Sequence, residues 1–148
     1  MKIFTSYFGN VRALKKYGII PISIARYSPR NWDGNRLSWL APTSFMLSDE
    51  CTREKYIEMY QSICKKVNIE LLIRQLSDIG DGKDVALLCY ERPGQFCHRH
   101  MLAEYLTEHG IPVKEFKEWE YIQEKEQEQK TVTEESQKPT QLSLFDVL

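Results

Sequence analysis

Apolar positions along the chain form short continuous runs separated by longer stripes at helical spacing. Residues 2–7 are rich in β-branched and aromatic side chains and read as a first strand, ended by Gly9 and Asn10. Residues 11–17 fit a short helix closed by Gly18. Residues 19–25 are almost wholly apolar, the pattern of a strand covered on both faces, and Pro21 falls near the start, where a strand tolerates it. Residues 40–45 read as a connection. Within 52–67, Tyr56, Met59, Tyr60, Ile63 and Val67 recur at steps of three and four, as on one face of an amphipathic helix. Asp49 and Glu50 suit the positive end of that helix, whereas Thr52 with Lys55 makes a poor capping box. Cys64 lies beside the stripe and reads as inert core. Asn68 breaks the run, and a second helix resumes over 69–76 towards Gly80 and Gly82.

The second continuous apolar run is 85–89. Pro93 and Gly94 then predict a turn, and a helix follows from about Cys97 to Glu108 with Met101, Leu102, Tyr105 and Leu106 inward. His109 and Gly110 close it as a glycine C-cap, residues 111–116 form another strand, and 119–126 fit a last helical turn or two. Strand, helix and strand within about thirty residues make a right-handed βαβ unit with parallel strands. The expected fold is therefore α/β over residues 1–122: a small Rossmann-like, open, mostly parallel sheet with flanking helices. Beyond it the pattern fails. Residues 123–140 are dominated by Glu, Gln, Lys, Ser and Thr, with Val132 as the one apolar side chain. That composition buries too little surface to order itself and predicts a disordered linker. A hydrophobic octamer, 141–148, ends the sequence.

Composition narrows the classes. At 148 residues one domain is expected, and a net charge of −1 excludes nucleic-acid binding through bulk charge. No apolar stretch approaches a membrane span, and "MKIFTSYFGN" is too short and polar for a secretion signal, so a cytoplasmic protein is expected. In a reducing cytoplasm Cys51, Cys64, Cys89 and Cys97 are free thiols or metal ligands before they are disulfides.

Candidate chemistry is concentrated in residues 84–100, DVALLCYERPGQFCHRH. In an open parallel sheet ligands bind at the C-terminal strand ends. Those ends carry Tyr7 and Phe8, then Arg26 and Tyr27, then Cys89 to Glu91, and the helix start at Cys97, His98 and Arg99 opens on the same edge. A helix N-terminus with Arg26, Arg92 and Arg99 nearby suits an anion, above all the phosphate of a nucleotide or nucleic acid. Arg26, Glu91 and Arg99 are therefore expected on one edge of the sheet. The loop 26–36 interleaves three arginines with Tyr27 and Trp32, which suits a phosphate with a stacked base, or a surface loop whose aromatics tuck onto the core. Glu91 is the candidate general acid or base. Cys97 at a helix start is a candidate reactive thiol with His98 beside it, and a buried structural thiol is the alternative.

Other motifs are absent. Gln95, not arginine, stands at the spacing of a cysteine-phosphatase loop after Cys89, and there is no dinucleotide fingerprint or P-loop. Cys89, Cys97 and His98 are potential metal ligands, but their spacing is not that of a zinc ribbon or finger and a fourth ligand is missing. No bound metal and no cofactor are expected from it.

The stretch "VALLCYERPGQFCHRHMLAEYL" resembles the central motif of the bacterial and phage family called domain of unknown function 488. The first strand and "ISIARYSP" extend the resemblance over about residues 2–116. It implies a small α/β fold with a site at Arg26, Cys89, Glu91, Cys97, His98 and Arg99, and brings no settled activity. Many relatives read "VDVR" in the second strand; "ISIAR" lacks that aspartate. Separately, Gln141, Leu142, Ser143, Leu144 and Phe145 resemble the pentapeptide by which bacterial polymerases and repair proteins bind the sliding clamp. Together the resemblances imply a protein of DNA metabolism that binds DNA or a nucleotide and is tethered to the clamp. An enzyme acting on a base, nucleotide or phosphodiester is the favoured form. The alternatives are a non-catalytic clamp-binding adaptor or inhibitor, and a small-anion metabolite enzyme with an incidental tail.

Overall fold

The computed structural model describes residues 1–92 and 96–137, with the side chains of 136 and 137 excepted. Its strands are β1 (Ile3–Tyr7), β2 (Ile20–Ser23), β3 (Asn35–Arg36), β4 (Val85–Cys89) and β5 (Val113–Glu115). Its α-helices are α1 (Val11–Lys16), α2 (Arg53–Lys65), α3 (Ile69–Gly80), α4 (His98–Glu108) and α5 (Glu118–Gln137). The sheet runs β3-β2-β4-β1-β5, and every adjacent pair is parallel. An α/β fold with an all-parallel sheet is thus what the two continuous apolar runs and the βαβ pattern build.

Central position explains the uninterrupted apolar character of β4. It pairs with β1 on one side and β2 on the other, and all five of its residues are buried. Register then sorts the faces. Ile3, Thr5 and Tyr7 stand opposite Val85, Leu87 and Cys89, so these six side chains share one face. Ile3, Val85 and Leu87 pack there with Tyr60 and Cys64 of α2, Leu72 and Leu76 of α3, and Leu102 and Leu106 of α4. On the other face Phe4 meets Phe116 edge to face at 5.5 Å.

Two helix starts are better capped than their sequence suggested. The Thr52 hydroxyl accepts from the Lys55 N–H at 3.1 Å, and Asn68 Oδ1 accepts from the Leu71 N–H at 3.0 Å. Asn68 therefore starts α3 as well as ending the run before it. The two-residue β3, inside the polar loop, has no apolar pattern to announce it.

The chain divides into two compact units, the first being Met1–Phe116 and the second beginning at Lys117. The second contains α5, which carries helix into residues 123–137 of the polar linker segment. Low apolar content argues against a packed core, not against a helix. Glu, Gln and Lys are good helix formers, Glu118 and Glu120 lie in the first turn, and Lys125 pairs with Glu128 at 3.5 Å one turn on. The rest of the linker and the pentapeptide 141–145 lie outside the described residues. Among the described residues no helix is long and apolar enough to cross a membrane.

Candidate functional site

Parallel pairing places the C-terminal ends of β1, β2 and β4 on one edge of the sheet. Tyr7, Arg26, Cys89 and Glu91 all lie at those ends, and α4 starts beside them with Cys97 as its N-cap residue. The residues separate into two layers.

The inner layer is a buried polar knot centred on Arg99, which is fully enclosed. Arg99 lies three and seven residues before Leu102 and Leu106, on the same face of α4, so it continues the apolar stripe to the helix start. Its Nε and Nη2 donate to Glu115 at 3.0 and 2.9 Å in a bidentate pair. Its Nη1 donates to Cys89 Sγ at 2.8 Å and to the Glu91 carbonyl at 2.5 Å. Thr5, opposite Glu115 across β1 and β5, donates its hydroxyl to Glu115 Oε1 at 2.9 Å. The guanidinium expected to face an anion is therefore engaged inside the domain. Glu115 and Thr5 are absent from the sequence-based site. The buried face of Arg99 calls for a carboxylate, but nothing local singles out β5 as its source.

Cys89, Cys97 and His98 are also buried. The two sulfurs are in bonding contact as a disulfide pair, across a Cα separation of 7.7 Å. His98 Nε2 lies 2.9 Å from the Ile24 carbonyl, just past the end of β2, and so must carry the proton. Its Nδ1 is left as a lone pair, 3.7 Å from Cys97 Sγ. Burial, outweighing the Ile24 hydrogen bond, lowers the His98 pKa to about 4, so the ring is neutral at physiological pH. Tyr60 packs edge to face on this ring at 5.2 Å and donates its own hydroxyl to the Leu40 carbonyl at 2.7 Å. Tyr56, on the same helix, has its pKa raised first by burial and then by the Glu91 carboxylate.

The outer layer is aromatic. Phe8, after β1, lies 4.8 Å from the Tyr90 ring, after β4, and 5.2 Å from the Trp32 indole in the β2–β3 loop. Tyr90 is 52% exposed. Trp32 is held by its own loop: Nε1 donates to the Asn35 carbonyl at 3.2 Å, and Arg36 Nη2 donates to the Trp32 carbonyl at 3.2 Å. Gly34 makes this possible, since a Cβ there would stand 2.8 Å from the indole. Arg26, Arg30 and Arg36 in the same loop are exposed, as is Glu91. Phe8 and Tyr90 escaped the sequence reading as a stacking pair because nothing local joins residues 82 positions apart in the chain; only the β1–β4 register does.

A family model described as "Active DUF488-N3 subclade" matches residues 10–110. No curated protein and no solved structure matches the chain. The match spans more than half of the sequence and contains the strand-end Cys89 and Glu91 together with the Cys97-His98-Arg99 helix start, and on that basis the chain belongs to the DUF488 family, within its N3 subclade.

Proposed function

We propose that this chain is an enzyme of DNA metabolism that holds a nucleotide or a nucleic-acid single strand at the C-terminal edge of its sheet. The observation that carries this reading is the aromatic shelf of Phe8, Trp32 and Tyr90 beside a loop with three exposed arginines. A base stacks on aromatic rings whatever its identity, and arginines track the phosphates. Because Arg99 is committed to Glu115, the phosphate contacts fall to Arg26, Arg30 and Arg36, with Tyr7 at the floor of the edge. Glu91 is an exposed carboxylate at the end of β4 and takes the role of general acid or base, with Cys97 and His98 as the buried members of the site. The word "active" in the description of the matched subclade is in keeping with catalysis.

The pentapeptide Gln141, Leu142, Ser143, Leu144 and Phe145 would tether the domain to the sliding clamp, which gives a chain of net charge −1 its locality on DNA. Leu142, Leu144 and Phe145 fill an apolar pocket in this reading and Gln141 bonds at its rim. Purified clamp should retain the full chain and release L144A/F145A, whose thermal melting stays that of the wild type. Equal retention of both, or a sharply lowered melting temperature in the double variant, contradicts the tether. Glu91→Gln should abolish turnover while keeping nucleotide affinity; a loss of affinity with no turnover in the wild type instead favours a non-catalytic binder.

A further inference from the structure

The geometry points to a metal site: with the Cys89–Cys97 disulfide reduced by a thiol reductant, the freed Cys89 Sγ and Cys97 Sγ thiolates and His98 Nδ1 together bind one zinc ion. These three atoms all lie within 4.8 Å of one another. They come from the end of β4 and the start of α4, so the fold brings together what the irregular spacing concealed. The inference deepens the reading above by giving Cys97 and His98 a task, and it is read out without any nucleotide.

Four observations support it. First, His98 is fixed in the tautomer that ligates through Nδ1, because Nε2 donates to the Ile24 carbonyl at 2.9 Å. Metal-bound histidines are commonly oriented in this way by a backbone carbonyl. Second, the Nδ1 to Cys97 Sγ separation is 3.7 Å. Zinc bonds of ordinary length at the tetrahedral angle put a sulfur and a nitrogen about 3.6 Å apart. Third, the Cα atoms of Cys89 and Cys97 are 7.7 Å apart. Disulfides usually span about 4.4–6.8 Å, so the two side chains reach towards one point from positions better suited to sharing a third atom. Fourth, the charges balance. Two thiolates neutralise a divalent ion, and Arg99 with its Nη1 on Cys89 Sγ is neutralised by Glu115. Two thiolates without the ion would leave a buried double negative charge. Soft sulfur with imidazole nitrogen favours zinc over magnesium or calcium. Three protein ligands leave the fourth position for water or substrate, the pattern of catalytic rather than structural zinc.

The test is the metal content of the full chain, purified under reductant from zinc-supplemented cells and desalted without chelator. About one zinc per chain is expected, with at least a tenfold loss in Cys97→Ser and in Cys89→Ser, and retention in Cys51→Ser. Should the cluster variants fail to fold, cobalt(II) exchanged into the wild type answers alone: thiolate-to-cobalt charge-transfer bands with tetrahedral d–d intensity are expected. A wild-type chain free of zinc, whether its Cys89 and Cys97 then titrate as thiols or run as a disulfide by mass, overturns the site. So does cobalt binding without thiolate bands.

Discussion

The two layers at the C-terminal edge of the sheet use the same residue types in opposite ways. In the inner layer Arg99 is enclosed and holds Glu115, Cys89 and the Glu91 carbonyl at once. In the outer layer Arg26, Arg30 and Arg36 are exposed, with Arg36 donating one N–H to the Trp32 carbonyl. A buried guanidinium must be well partnered because the cost of leaving it unpaired in a low dielectric is severe, and four of the five N–H donors of Arg99 are already engaged inside the domain. An exposed arginine keeps its donors in water, where exchange for a phosphate costs little. The inner layer therefore fixes the positions of Cys89, Glu91 and the α4 start, and the outer layer is the part that the proposed function assigns to recognition. The difference teaches that charge near a site is not the same as charge available to it.

Breaking the inner layer should have the largest effect. Arg99→Met strands Glu115 and should destabilise the domain by about 3–5 kcal/mol, read as a fall in the denaturation midpoint. Adding Glu115→Gln should recover part of that loss; a single variant with wild-type stability would show that the knot is not what holds the edge. Tyr60→Phe removes the hydroxyl that satisfies the Leu40 carbonyl and should cost about 1–3 kcal/mol. Cys64 sharpens the contrast by its silence: burial raises its thiol pKa to about 11. It should resist alkylation at pH 8 in the native chain while half-buried Cys51 reacts. The sign is that of a group kept protonated by folding. Its stabilising contribution is intact below the unfolded value of 9.0 and is lost as pH rises towards 11. Native labelling of Cys64 at the rate of Cys51 would show that α2 opens readily. Smallest in stability should be Trp32→Ala in the outer layer, within about 0.5 kcal/mol of wild type, since the indole sits in a loop. A larger loss would make Trp32 part of the core and not of a ligand shelf.

How much of this was legible beforehand follows from where the signals lie. The apolar runs at residues 19–25 and 85–89 and the stripe through Leu102 and Leu106 announced strands and helices, because burial on one or two faces imposes a pattern on the sequence. The role of Arg99 was not legible by type, since arginine in sequence reads as surface charge. Its spacing to Leu102 and Leu106 was the available clue. The Glu115 partner and the Phe8–Tyr90 contact depend on strand order, and no local pattern encodes that β1 lies between β4 and β5. The helix over 123–137 is not legible from apolar periodicity, because helix formers linked by ion pairs such as Lys125–Glu128 carry no apolar face to announce it.

The most direct test of the central claim is a fluorescence-anisotropy titration of a labelled thymidine oligonucleotide with the wild type and with Trp32→Ala at matched, moderate salt. The account predicts binding in the order of micromolar by the wild type, weakening as salt rises, and at least a tenfold loss in the variant with an unchanged melting curve. Equal affinity of the two proteins, or no binding by the wild type at low salt, would contradict it.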